Sequence, residues 1–361
     1  MNRKGLTLVR TAAITSVAAL IFAACGDDDS SSDGNSNGNS DSAVAALETC
    51  LSGAIIEGRP LQIVTTVAPI TSLVAAIVGD TGTQIEGVVP EGTNSHTFEP
   101  PPSAASVLEK ADVIFINGLV LEEPTKDLAE ANVADSTVIC ELGTAILPEE
   151  DWLYDFSFPE EGGKPNPHLW TNPPMAKQYA QLVRDVIVKM DPANADAYDT
   201  NFADLVRVID GLDAAMVTAT ETIPEDARKL LTYHDAYAYF AKHYGWTVIG
   251  AIQPQSFEEP SPKDIADLIE QVKSENVRAV FGSEVFPSPV LEQIGQETGV
   301  RYVDVLRDDD LTGEPGDPEH SWAGLMQFNF ITMVEALGGD ATALKNLDVT
   351  VAAPDKAFYP Q

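Results

Sequence analysis

The sequence predicts an α/β protein of two lobes, each a mainly parallel sheet flanked by helices, joined by one long rigid helix. Three observations point there. Short β-branched runs alternate with amphipathic stretches from Leu61 onward. The same rhythm restarts at Lys229, and between the two series lies an unbroken helical pattern of about thirty residues.

In the first series, LQIVTTV (61–67) reads as a buried strand, 70–80 as a helix and 83–90 as the next strand. A helix over 103–112 with Ser103 as its cap, a strand over 113–118, a short helix near 123–131 and a strand over 136–142 complete it. The middle stretch gives one helix to about Met190 and a second from Asp191 and Pro192 to Thr222, a suitable cap and first-turn pair. Phe202, Leu205, Val206, Ile209, Leu212 and Met216 keep helical spacing along it. Thirty residues of helix span roughly 45 Å, a stiff strut rather than a supple hinge.

The second series runs strand 229–233, helix 236–244, strand 247–252, helix 261–276, strand 277–283, helix 289–299, strand 301–306 and helix 322–337. Ser261 and Pro262 open the helix at 261 with a good cap and first-turn pair. The chain therefore divides into an N-terminal lobe (60–190), a connecting helix (191–222), a C-terminal lobe (223–345) and a tail (346–361).

Before the first lobe lie two segments of other kinds. Residues 1–24 carry Arg3, Lys4 and Arg10, then an apolar run too short to span a bilayer comfortably, then Ala23 and Ala24 ahead of Cys25. This resembles a bacterial lipoprotein signal, with Phe22 where the pattern usually has Leu, Val or Ile; it implies that Cys25 is lipidated and anchors the protein outside the cytoplasm. Residues 25–59 then read as a disordered tether and lead-in, the stretch 26–42 being Gly, Ser, Asn and Asp with nothing to bury. Cys50 and Cys140 remain, and an oxidising compartment permits either a disulfide between them or two buried thiols.

Charge narrows the partners. With 21 Lys+Arg against 56 Asp+Glu the net charge is −35, which argues against nucleic acid or an anionic membrane surface as the main partner. A cation ligand is compatible with it.

In open parallel sheets, ligands bind beyond the carboxyl ends of the strands. Of five histidines, three fall there: His96 in TNSHTFEPPPS after the second strand, His168 in NPHLW, and His234 directly after KLLTY. Two carboxylates join them, Glu284 after VRAVFGS and Asp308 after RYVDVL. Pro100, Pro101 and Pro102 keep His96 out of regular structure and pre-position it. His243, nine residues after His234 on one helix, points to another face and reads as structural. His320, in GEPGDPEHSW, reads as an exposed loop residue near the cap of the last helix.

At these residues the chain resembles a family, the zinc/manganese-type substrate-binding lipoproteins of metal ABC transporters. The likeness covers about 61–340 and rests on VVPEGTNSHTFEPPPSAASVLEKADVIFINGLVLE, NPHLWTNP, YHDAYAYFAKHYG, EEPSPKDIADLIEQVKSENVRAVF and LRDDDL taken together. It implies two α/β lobes on a long helix, and His96, His168, His234 and Asp308 as metal ligands, two from each lobe. Glu284 falls where the family has an acidic residue near, but usually not in, the coordination shell. It implies a membrane permease as partner and no enzyme activity. Two features depart from the pattern. Ser95 stands where proline usually precedes the first histidine, which loosens that loop, and 149–167 lacks the histidine-rich insertion common in zinc-binding members.

Three imidazoles and a carboxylate form a borderline-soft set that suits zinc, whereas manganese prefers more oxygen. Zinc is therefore the expected cargo, with manganese the alternative. Its affinity should fall as pH drops through about 6, since ligand histidines must be neutral. An exported zinc hydrolase is the rival of another class; no HExxH helix occurs, and the prolines after Glu99 preclude a helical face there. A binder of an organic iron or cobalt chelate would not need three histidines.

Overall fold

The computed structural model describes residues 40–253, 260–283 and 289–361. The N-terminal lobe is a four-stranded parallel sheet of order β2-β1-β3-β4, built from β1 (Gln62–Thr65), β2 (Gln84–Gly87), β3 (Val113–Ile116) and β4 (Val138–Glu141). The helices before and between these strands are α1 (Ser40–Cys50), α2 (Ala68–Val78), α3 (Ala105–Leu108) and α4 (Glu123–Asn132), with α5 (Leu142–Ile146) after β4. Then come α6 (Pro173–Met190) and the long α7 (Ala195–Glu221). The second sheet repeats the order, β6-β5-β7-β8, from β5 (Lys229–Thr232), β6 (Thr247–Ala251), β7 (Ala279–Ser283) and β8 (Arg301–Leu306). Its helices are α8 (Ala238–Tyr244), α9 (Pro262–Ser274), α10 (Pro289–Thr298), α11 (Trp322–Ala336) and the short α12 (Thr342–Lys345).

The inner strands β1, β3, β5 and β7 are buried on both faces, which is why they read as continuous apolar runs. The two-residue period then sorts the faces. In β3, Val113 and Phe115 enter the main core while Ile114 and Ile116 enter a smaller outer one. In β7, Ala279 and Phe281 face the main core and Val280 the outer cluster of its lobe. The main core is shared by both lobes through α7, whose Leu205, Val208, Ile209, Leu212 and Met216 are buried at helical spacing. At 27 residues α7 is about 40 Å long. It starts slightly later than its pattern suggested, because Pro192–Asn194 form a 3-10 turn first; the Asp191 carboxylate bonds Asn194 and Tyr198 side chains instead of capping the backbone.

Some expectations need correction. Ser261 caps α9 through a full capping box with Asp264, but Ser103 caps nothing: Pro101 and Pro102 start a 3-10 turn, Ser103 lies inside it, and α3 is only Ala105–Leu108. The presumed lead-in is helical from Ser40, and it is pinned down: Cys50 at the end of α1 and Cys140 in β4 form a disulfide, Cα to Cα 4.5 Å. His320 is buried, its ring edge-to-face with Tyr359 at 4.7 Å and its Nε2 3.7 Å from Glu91 Oε2. The tail covers it. Phe358 bridges Glu86 in parallel, accepting from Gly87 N–H at 2.9 Å and donating to the Ile85 carbonyl at 3.0 Å, so the tail extends the first sheet at its β2 edge. Cys25 and Glu284 lie outside the described residues.

Candidate metal centre

Three loops at strand ends bring the imidazoles together. His96 follows β2 in a turn closed by its own N–H donating to Asn94 Oδ1 at 2.9 Å. The preceding Ser95 is buried and donates to Asp309 Oδ2 at 2.5 Å across the lobes. The loop is therefore fastened, not loosened, at the position where the family's proline is missing. Gly92 N–H donates to Asp310 Oδ2 at 2.7 Å, and Leu311 N–H to Glu91 Oε1 at 3.0 Å. Of the Asp308–Asp310 run, two carboxylates thus clasp the N-terminal loop.

His168 sits fully buried before the 3-10 turn Leu169–Thr171. Asn166 Oδ1 accepts from both the His168 N–H at 3.0 Å and ring Nδ1 at 2.8 Å. An amide oxygen only accepts, so Nδ1 carries the proton and Nε2 presents its lone pair. His234 follows β5, and its Nδ1 lies 2.6 Å from Asp308 Oδ2, both side chains buried. Asp308 is held in turn by Ser283 Oγ at 3.2 Å, while its carbonyl accepts from the Trp170 indole at 2.9 Å.

The three Nε2 atoms converge. His96 Nε2 is 3.2 Å from His168 Nε2 and 3.1 Å from His234 Nε2. Nitrogens bound at 2.0–2.1 Å are about 3.3 Å apart around a tetrahedral ion and about 2.9 Å apart on an octahedral face; the observed spacings fall between. Among the described residues, these three are the His, Cys, Asp or Glu group with metal-holding geometry. Asp308 comes to the outer nitrogen of His234 rather than to that point. His243 is elsewhere, paired with Asp213 at 2.8 Å.

Burial, then the neighbouring His234 charge, pushes His96 and His168 well below the ordinary imidazole value. Burial also acts against a charge on His234, but Asp308, Asp309 and Asp235 outweigh it and raise it to about 9. At neutral pH the cluster therefore holds one imidazolium and two neutral rings.

The segment before His168 reaches across to the C-terminal lobe. Ser157 donates its N–H to Asp235 Oδ2 at 2.9 Å and its hydroxyl to the Gln253 carbonyl at 2.7 Å. Burial, with the Asp235 charge, lifts Asp155 to about 9, and Asn166 Nδ2 donates to Asp155 Oδ2 at 3.0 Å and to the Asp235 carbonyl at 2.7 Å. Phe158 lies 5.4 Å from His96 and 5.7 Å from His168, ring to ring. Sequence reading passed over Asn166, Asp155, Asp235 and Phe158; only Asn166 left a signal, two residues before a histidine in NPH.

A family model described as the periplasmic zinc-uptake complex component A, ZnuA, matches residues 63–336. The chain belongs to this family. ZnuA-family proteins are metal-binding, substrate-binding components of ABC transporters and not enzymes, so the hydrolase reading has no support. The iron-binding protein YfeA of Yersinia pestis is 26% identical over 302 residues, 82% of this chain and 94% of its own. The manganese-binding lipoprotein MntA of Halalkalibacterium halodurans is 28% identical over 289 residues, 79% of this chain and 91% of its own. Among solved structures, the periplasmic zinc-binding protein TroA of Treponema pallidum matches with a TM-score of 0.70 at 24% identity, over 78% of this chain and 99% of its own. That likeness speaks to the fold, and ZnuA-family relatives carry the names of three different metals.

Proposed function

We propose that this ZnuA-family protein captures a zinc ion between its lobes through the Nε2 atoms of His96, His168 and His234 and delivers it to the permease of an ABC importer. The convergence of those atoms at 3.1 and 3.2 Å is the observation that supports it. Three imidazoles favour zinc over manganese or ferrous iron, which take oxygen-richer sets more readily. Cys25 and the polar stretch after it are read as a lipid anchor and tether that keep the protein outside the cytoplasm, beside its permease.

Asp308 completes the ligand set expected from the sequence. Its 2.6 Å contact with His234 Nδ1 favours a supporting part, in which it fixes the ring so that Nε2 faces the ion. Three protein bonds with a solvent-filled fourth position also suit a cargo that has to leave. Asp308→Asn is expected to weaken zinc binding about 10–100-fold without unfolding the protein; a competitive titration giving wild-type affinity would dismiss both parts.

The raised His234 value moves the pH window above the one expected from an ordinary imidazole. Below about 9 His234 holds a proton that the ion must displace. Affinity should thus climb by up to tenfold per pH unit toward about 9 and then level off. Calorimetry in buffers of different ionisation enthalpy at pH 7.5 should find about one proton released per zinc. Zinc affinity that is flat between pH 6 and 8 contradicts the assignment.

Elemental analysis of the purified protein, followed by competition among zinc, manganese and ferrous iron, tests the cargo. Zinc displacing both others is the expected result; manganese or iron displacing zinc would overturn it.

A further inference from the structure

The turn between β3 and α4 has a backbone that L-residues avoid. Gly118, Leu119 and Val120 follow one another at φ 74°, 52° and 65°. Glycine takes this at no cost, but leucine is strained there and β-branched valine more so. Such a turn persists only where its surroundings over-determine it.

A carboxylate does so here. The buried Glu122 accepts at Oε1 from the Thr66 hydroxyl at 2.7 Å and from Asn117 N–H at 2.7 Å, and at Oε2 from Gly118 N–H at 3.1 Å. The turn it holds faces the cleft in two ways. Leu119 and Val120, with His96, Phe158 and Lys164, line a cavity of about 290 Å³ that reaches His96 of the cluster. Asn117 donates its side-chain amide to the Pro167 carbonyl at 2.9 Å, one residue before His168, and accepts from Tyr179 OH at 2.6 Å. Glu122 thus touches none of the three imidazoles, yet it fixes one wall of the cavity beside His96 and one support of the loop bearing His168.

We infer that Glu122 is a positioning residue: by holding Gly118–Val120 in left-handed backbone it keeps the cavity wall against His96 and seats the His168 loop, and so governs how fast the ion enters and leaves. This rests on the metal-capture reading above and adds to it a control on exchange.

Burial lifts Glu122 to about 7 in spite of the three bonds it accepts, each of which lowers it. The titratable group facing it from α6 is Tyr179, whose phenol is pushed well above its ordinary value by burial and by Glu122, and which stays neutral. Below about 7 the carboxyl gains a proton, one acceptor becomes a donor facing donors, and the turn loosens. Above it the carboxylate holds the turn.

The test is stopped-flow release of zinc from the full chain into excess chelator, from pH 6 to 8.5. The wild type should release zinc faster as pH falls through about 7. Glu122→Gln should release it about tenfold faster at pH 8, roughly the scale of a lost outer partner, and should lose the step near 7. Adding Val120→Asn, a residue that tolerates left-handed backbone, should slow release again in the Glu122→Gln background. If Glu122→Gln does not fold, Thr66→Val removes one of the three donors at constant shape and should still speed release. A folded Glu122→Gln with wild-type rate and pH step, no recovery with Val120→Asn, or a wild-type rate in Thr66→Val overturns the inference. A wild type that binds none of zinc, manganese and ferrous iron fails the capture reading itself, a separate and distinguishable result.

Discussion

Replacing His168 with alanine should lower zinc affinity by more than about 100-fold, beyond the loss typical of outer partners. On the capture reading one of three metal–nitrogen bonds would be lost, and the buried pocket offers Asn166 no substitute. Asn166 Oδ1 also loses the ring it orients at 2.8 Å, so the metal-free protein should be destabilised by about 1–3 kcal/mol as well. The two effects separate cleanly, since a chelator titration reads affinity and a melt of the stripped protein reads stability. His234→Ala should behave in the same way. His243→Ala should not: it sits partly exposed on α8, paired at 2.8 Å with Asp213 of α7, and its loss should leave zinc affinity within about twofold, as for surface substitutions generally. Equal losses at all three positions would defeat the assignment.

Removing the disulfide should have the largest effect on stability. Cys50 and Cys140 are 90 residues apart in sequence, and in the chain-entropy model closing such a loop is worth about 4–5 kcal/mol. The bond does more than close a loop, since it fastens α1 against the edge strand β4. With both cysteines replaced by serine, the melting temperature is expected to fall by roughly 10 °C or more, at a few degrees per kcal/mol for a protein of this size. Zinc affinity well below the melting range should be unchanged, because neither cysteine is among the groups near the histidines. Serine replacement is preferable to a reducing agent, whose thiols would compete for the ion. Coincident melts of the two proteins would contradict the prediction.

Much of this architecture was legible because parallel strands buried on two faces leave continuous apolar runs, which is how β3, β5 and β7 announce themselves. Ser261 was readable as a cap because Pro262 follows it in the first turn, and the structure adds Asp264 to the cap; Ser103 misled because the prolines ahead of it had already begun a different turn. The histidines were legible from one rule, that ligands gather beyond the carboxyl ends of strands. Much of what supports them was not: Asn94 and Asn166 lie two residues from His96 and His168, but Asp308 is far from His234 in sequence, and Asp309 reaches Ser95 from the other lobe. Nothing in the string DDD says that Asp309 reaches Ser95, that Asp310 reaches Gly92, and that Asp308 faces His234. His320 was misjudged for a related reason. Its polar neighbourhood reads as solvent until residues 355–361 are folded over it.

The pairing of Phe358 with Glu86 carries a consequence for how the molecule is made. Its first sheet takes an outer bridge from residues that follow the second lobe, so the lobe synthesised first cannot finish until those later residues have emerged from the ribosome. A half-made chain presents the bare β2 margin to its surroundings, an invitation to mispairing. Trimming or fusing a tag near Phe358 should therefore show its damage in the opposite half of the protein from the one that was altered.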